Sequence, residues 1–334
     1  MNNKFTLISY DRETIERHSS DRLADIIAQV NKDRISWVIT HGYSISDKAE
    51  IESLLSAFSA DPALAEKILN QVPLEFSDRE PNYLYFEYST PIPEFDAEKK
   101  RYQEARGSVV LGKGYLLLFN ENMSGLFDDL QEKVLAGNTR AQNFGSDYLF
   151  YLLWRVNLSK FDQLVNVELV NHFDTLEDTV IDNPGKREVL VELLIGRNLV
   201  KPLYDPLRRN EYLLVSIREE DIKFISEDTR HLFTQNLATD LEAIKQGYLL
   251  LNFWIGELLD IHRANVGERT NRIIYILTIV SVIFLPITFI SSVYGMRFIY
   301  IPGIDQPFGF YGILLLMLAI VVAMVAYMKF KEWI

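Results

Sequence analysis

Within an apolar run near the C-terminal end of the chain, the polar side chains Asn271, Thr278, Ser281, Thr288 and Ser292 recur at steps of seven, three, seven and four. On a helix these steps place them along one face. Ile274 and Leu285 fall in the same stripe and Leu277 stands beside it. Hydroxyls in an apolar helix can bond back to their own carbonyls. Otherwise they face a wet path through the bilayer. Read as a lining, Asn271, Thr288 and Ser292 would be polar rings and Ile274, Leu277 and Leu285 greasy constrictions that can gate by dewetting. Pro286 removes one helical hydrogen bond beside Leu285, a natural kink or gate point. One such helix cannot enclose a pore, so several copies around an axis are required.

Catalytic patterns find little support. The histidines 18, 41, 172, 231 and 262 lie far apart with no paired-ligand spacing, and no HExxH or GxSxG motif occurs. The "GKG" at 112–114 lacks the Lys-Ser/Thr ending of a phosphate loop and reads as a turn. With no cysteine there is neither a disulfide framework nor a thiolate metal site. Acidic runs such as "REEDIKFISED" are expected to be solvated helix faces. The chain is read as neither an enzyme nor a nucleic-acid binder, and no covalent cofactor is expected.

The elements that would position the stripe follow from hydropathy. Residues 273–293 and 308–328 contain no charged side chain and are each long enough to cross a bilayer as a helix. The second, "GILLLMLAIVVAMVAYM", has no strongly polar side chain before Tyr327, which suits lipid all round. Arg263, Arg269 and Arg272 precede the first span, and Lys329 and Lys331 follow the second. Basic flanks favour the cytosolic side, so both termini are expected there. The start, "MNNKFTLISYDRE", lacks the layout of a secretory signal. The loop 294–307 then faces the opposite side with Arg297 and Asp305 as its only charges, and 329–334 is a cytosolic tail.

Upstream, residues 1–145 alternate strand-like runs ("FTLIS", "ISWVIT", "YLYFEYS", "SVVLG", "YLLLF") with helical patterns ("RLADIIAQV", "KAEIESLLSAF", "ALAEKIL"). A mixed sheet flanked by helices is predicted, with a hairpin turning at 112–114. Residues 146–272 read as a helical stalk punctuated at "DNPGK" (182–186), Pro202 and Pro206. Its last helix should run from about Asp228 into the first span, its isolated Gly247, Gly256 and Gly267 each tolerable at roughly 1 kcal/mol. Leu237, Leu241, Ile244, Tyr248, Leu251, Ile255, Leu258 and His262 alternate steps of four and three, a seam for packing within the chain or between subunits.

The segment "ERTNRIIYILTIVSVIFLPITFISSVYGM", its short loop, second span and basic aromatic tail resemble the CorA family of divalent metal transporters. That resemblance spans the layout of the whole chain. It implies an α+β membrane protein: an N-terminal α/β cytosolic domain, a helical stalk and two C-terminal spans, assembled as a homopentameric funnel in the cell's inner membrane. It also implies a pore lined by the first span, a second span facing lipid, and divalent cations of the Mg²⁺, Co²⁺, Ni²⁺ and Zn²⁺ class as substrates. The family signature is Gly-Met-Asn at the outer mouth; here it is Gly295, Met296, Arg297. "IPG" at 301–303 resembles the zinc-transporting ZntB branch, which also keeps an asparagine after its glycine. The family's regulatory sites use acids between neighbouring cytosolic domains, for which Asp260 is the candidate.

Five arginines about 8 Å from a divalent ion would each contribute roughly 1 kcal/mol of repulsion at water's dielectric constant. Screening lowers the ring total from about 5 to about 2 kcal/mol. Arg297 can also turn toward lipid phosphates or pair with Asp305. Two alternatives to cation passage therefore stay open: a pore of altered, anion or proton-coupled, selectivity, and a non-conducting membrane scaffold.

Overall fold

Six strands, β1 (Phe5–Tyr10), β2 (Ile15–Ser20), β3 (Ile35–His41), β4 (Tyr83–Asp96), β5 (Arg101–Gly112) and β6 (Tyr115–Asn120), form one sheet ordered β2-β1-β3-β6-β5-β4. The computed structural model describes residues 3–70, 83–96, 98–121, 125–219, 222–296 and 308–331. The β3–β6 pair is parallel and the other pairings are antiparallel, so the sheet is mixed as the sequence predicts. The predicted hairpin closes with Gly112 opposite Tyr115. Its turn needs Gly114 at φ +83, a left-handed conformation that side chains disfavour.

Helices α1 (Leu23–Ala28), α2 (Lys48–Ala57) and α3 (Leu64–Asn70) lie among the first strands. Among the described residues, the elements after β6 are helices: α4 (Asp128–Leu135), α5 (Ser146–Gln163), α6 (Leu169–Asp182), α7 (Arg187–Val200), α8 (Tyr204–Glu219), α9 (Glu227–Leu232), α10 (Ala238–Gly295) and α11 (Gly309–Phe330). Two π-helical turns, Leu164–Glu168 and Phe233–Leu237, join α5 to α6 and α9 to α10.

The chain divides into two compact units, Met1–Asn183 with Arg187–Leu259, and Pro184–Lys186 with Asp260–Ile334. In the first, strand alternation sends successive side chains to opposite faces of the sheet. Phe5, Leu7, Val38, Leu117 and Phe119 join the core built with α1, α2 and α3. Ile8, Tyr10, Trp37, Ile39, Leu116 and Leu118 join the core built with the later helices. Because both faces are covered, these strands read as continuous apolar runs.

The seam on α10 packs within the chain: Leu237, Leu241, Ile244, Leu251, Ile255 and Leu258 are buried in the second of those cores, with Tyr248 against its edge. Each such side chain is worth roughly 1.5–3 kcal/mol of transfer free energy. Gly247 is not the idle helix glycine the sequence suggests. A Cβ there would collide with Asn166 Oδ1 in the first π turn, so α10 and that turn approach closely at this point. Gly256 and Gly267 face open space, as a tolerated glycine should.

Some of the buried polar groups inside this unit are paired with one another across elements. Thr90 on β4 donates to Asn157 Oδ1 on α5 at 2.5 Å, and Asn157 Nδ2 donates to Asn210 Oδ1 on α8 at 3.0 Å. Asn210 in turn donates to the Pro206 carbonyl at 2.8 Å. All three residues are buried, so this chain of amides fixes how β4, α5 and α8 register. Asp147, at the start of α5, accepts from the Ser226 backbone N–H and hydroxyl at 2.9 and 2.6 Å, clamping the N-cap of α9.

Candidate ion pathway

Among the described residues, two helices are long and apolar enough to cross a membrane, and the apolar C-terminal part of α10 and all of α11 belong to the second unit. On α10, Asn271, Ile274, Leu277, Thr278, Ser281, Leu285, Thr288 and Ser292 are all exposed. At 100° per residue they fall within an arc of about 120°. Ile279, Val282, Ile283, Pro286, Ile287, Ile290, Val293 and Tyr294 are half-shielded and centre on the opposite side. On α11 one stripe, Ile313, Met317, Ile320, Val321, Met324 and Met328, is shielded in the same way. This is the pattern of two helices laid side by side, with the polar stripe of α10 turned away from the contact.

Three of the four hydroxyls in the stripe bond back to their own helix. Thr278, Ser281 and Thr288 donate to the carbonyls of Ile274, Leu277 and Phe284, each at 2.8 Å. Back-bonding satisfies these three donors within the helix, so the hydrogen bonds by themselves do not call for a wet path. Leu285 is 70% exposed and Ile274 55%, so the apolar positions of the stripe are as bare as its hydroxyls. Pro286 lies inside α10, which continues through it to Gly295. The Val282 carbonyl consequently lacks its usual helical donor.

At the C-terminal end of α10, Gly295 is its last residue and the Met296 backbone N–H donates to the Val293 carbonyl at 3.3 Å. Arg297 and Asp305 lie outside the described residues. Where the second unit begins along α10, Asp260 Oδ1 accepts from Arg263 Nη1 at 2.7 Å, and both side chains are about three-quarters exposed. A pair this exposed contributes little stability, so Asp260 can exchange its partner. Among the described residues no three His, Asp or Glu side chains of one chain converge as a metal site. A metal at Asp260 would need donors from further copies.

The histidines do not assemble a catalytic site. Burial holds His41 and His172 below the ordinary imidazole range, and His41 Nδ1 lies 3.4 Å from Asn120 Nδ2. Sequence reasoning missed the Thr90–Asn157–Asn210 chain because its members are far apart along the polypeptide and nothing local marks them as a set.

A sequence profile described as the CorA-like Mg²⁺ transporter protein matches residues 32–331. The chain is 27% identical over 346 aligned positions to the cobalt/magnesium transport protein CorA of Thermotoga maritima, covering 98% of this chain and 92% of that one. It is 44% identical over 69 residues, 21% of this chain and 22% of the relative, to the magnesium transport protein CorA of Sodalis glossinidius. The complete structure of the CorA magnesium transporter from Methanocaldococcus jannaschii superposes at a TM-score of 0.82, with 18% identity and full coverage of both chains. The full-length CmaX protein superposes at 0.74, with 16% identity over 100% of this chain and 99% of that one. With its α/β domain, long helix and two C-terminal apolar helices, and a profile match over nearly all its length, the chain belongs to the CorA-like family of membrane ion transporters.

Proposed function

We propose that the chain is one subunit of a five-copy pore that passes divalent metal cations across the cell's inner membrane. The observation that carries this reading is the bare polar stripe of α10, opposite its shielded side, in a chain related over its whole length to cobalt and magnesium transporters. A stripe that its own chain leaves uncovered is what a helix needs if copies of it are to surround an axis. Residues 273–293 form the lining span, 294–307 the outer loop and 308–328 the lipid-facing span, with both termini cytoplasmic. Residues 1–145 and 146–272 form the cytosolic α/β domain and stalk.

Along the path, Asn271 forms the cytosolic polar ring. Ile274, Leu277 and Leu285 are the dry constrictions, and Ser281, Thr288 and Ser292 supply outward lone pairs to a hydrated ion. Gly295 and Met296 lead to the mouth, where Arg297 and Asp305 set the local field. Asp260 is a subunit-interface acid available to a regulatory ion. The arginine makes this a weak Mg²⁺ carrier relative to a Gly-Met-Asn pore, since a cation entering meets about 2 kcal/mol or more of repulsion if the guanidinium groups face the axis.

Flux into proteoliposomes, measured for Mg²⁺, Co²⁺, Ni²⁺, Zn²⁺ and Cl⁻ in turn, tests the reading. Divalent uptake that exceeds chloride supports it. Chloride flux without divalent flux would transfer the assignment to an anion pore, and no flux at all to a scaffold.

A further inference from the structure

A cleft of about 530 Å³ opens in the first unit between α5 and α9. One wall is Arg140, Phe144, Tyr148, Tyr151 and Arg155; the other is Glu227, Asp228, His231 and Leu232. Tyr148, Tyr151 and Arg155 share one face of α5, three and four residues apart. Phe144 and Tyr148 are stacked, with centroids 4.6 Å apart and planes at 21°, and both rings are half-exposed. Tyr151 closes the floor as a buried ring 5.6 Å from Tyr148. Arg140 and Arg155 line the cleft with the aromatic row; burial and Tyr151 raise the Tyr148 phenol, and the two guanidinium groups oppose that rise.

The charges of this cleft are not spent on one another. Among the described residues, Arg140, Arg155, Glu227 and Asp228 have no ion-pair partner. Two unpaired guanidinium groups flanking a stacked aromatic pair offer planar, forked donors to phosphate oxygens and a π-face to a flat ring. The facing carboxylates would repel a bare polyanion. A ligand that carries a divalent cation on its phosphates satisfies both walls, and the cleft volume lies within the range of small-molecule sites. The chain's net charge of −12 argues against a polynucleotide, which would meet repulsion beyond the cleft.

We propose that this cleft binds a magnesium-loaded nucleoside polyphosphate. The base stacks on Phe144 and Tyr148, Arg140 and Arg155 take the phosphates, and the hydrated magnesium faces Glu227 and Asp228. The site is independent of the transport reading, since it rests on none of the pore residues.

Equilibrium dialysis of the purified full-length protein against labelled ATP, with and without Mg²⁺, tests it. Saturable binding of MgATP below about 1 mM is expected. Arg140→Ala with Arg155→Ala, both on exposed side chains that should leave the fold intact, should weaken binding by about tenfold or more, the scale of lost charge-assisted contacts. Tyr148→Leu should cost roughly tenfold through lost stacking. The carboxylate wall gives a sharper signature: Glu227→Gln with Asp228→Asn should weaken MgATP and strengthen Mg²⁺-free ATP. Absence of saturable binding, or MgATP binding unchanged in the double arginine variant, overturns the proposal. So does inorganic triphosphate with Mg²⁺ binding as tightly as MgATP, which would leave the aromatic row without a part.

Discussion

Two stretches of one helix, Leu237 to Leu258 and Asn271 to Ser292, carry apolar or polar stripes at the same alternating steps, yet one is buried and the other bare. In the first, Leu241, Ile244, Leu251, Ile255 and Leu258 are each 3% exposed or less. In the second, Leu285 is 70% exposed and Leu277 64%. Helical spacing selects a face in both; what covers that face is decided elsewhere. Partners for the first stripe come from the same chain, whereas the second is left bare by its own chain.

The largest expected effect tests that difference directly. Leu251→Ala should lower stability by about 2–5 kcal/mol, because it leaves a cavity in a packed core. Leu285→Ala, on a side chain that touches little in its own chain, should stay within about 0.5 kcal/mol. Denaturant unfolding of the detergent-purified protein, followed by tryptophan fluorescence, reads both. Equal losses would mean that the stripe around Leu285 is packed within the single chain and cannot line a path.

Arg297 sharpens the comparison from the functional side. Arg297→Asn should raise divalent flux by roughly thirtyfold to a thousandfold, for about 2 to 4 kcal/mol of repulsion removed. Raised salt should partly reproduce that gain in the unaltered protein by screening the ring. If Arg297 is held by Asp305, Asp305→Asn will free it and reduce cation flux. Strong Mg²⁺ flux that neither substitution alters would show that position 297 has no part in selection.

A smaller effect is expected at the constriction itself. Leu285→Ser should raise basal flux several-fold by easing wetting beside Pro286. In the same preparations, cysteines at Ser281 and Thr288 should crosslink between copies, while cysteines along α11 should not. Unchanged flux in a folded Leu285→Ser protein would move the gate to Ile274 or Leu277.

Much of this architecture was legible in the residues because its signals are local. Continuous apolar runs at Phe5, Ile35 and Tyr115 mark strands covered on both faces, and the four-three seam marks a packed helix. Strand β2, "IERHSS", went unread: it is an edge strand whose side chains are largely exposed, so neither alternation nor a run betrays it. The two π turns and the contact at Gly247 were also hidden, since they depend on where Asn166 comes to lie in space. On α10 the stripe could be read, while the back-bonding of Thr278, Ser281 and Thr288 stood in the sequence only as the alternative to a wet path. The shielded side opposite the stripe could not be read, because two uniformly apolar helices do not announce which sides meet.

The smallest effect concerns a charge that the first unit keeps half inside. Glu87 on β4 is 13% exposed at its side chain and lies 3.5 Å from Arg209 on α8. Burial pushes its carboxyl above the ordinary 4.5; Arg209 and Arg106 pull it down, Glu121 pushes it up, and the net result is a rise. Tyr43 and Tyr85, whose own phenols it helps to raise, also face it. A carboxyl that holds its proton more tightly when folded adds stability relative to its ionised form. At pH below 4.5 folded and unfolded chains are both protonated there, and the group is neutral in the balance. As pH rises from 4.5 through the higher folded value, the unfolded chain releases the proton first, so stability falls across that window. Glu87→Gln cannot titrate and should remove this share of the fall. Unfolding free energies of the two proteins should therefore shift relative to each other above pH 4.5, with Glu87→Gln gaining on the unaltered protein. A difference that is the same at pH 4 and pH 7 would mean that Arg209 and Arg106 keep Glu87 ionised at no net cost, and that this unit pairs its interior charges as completely as its amides.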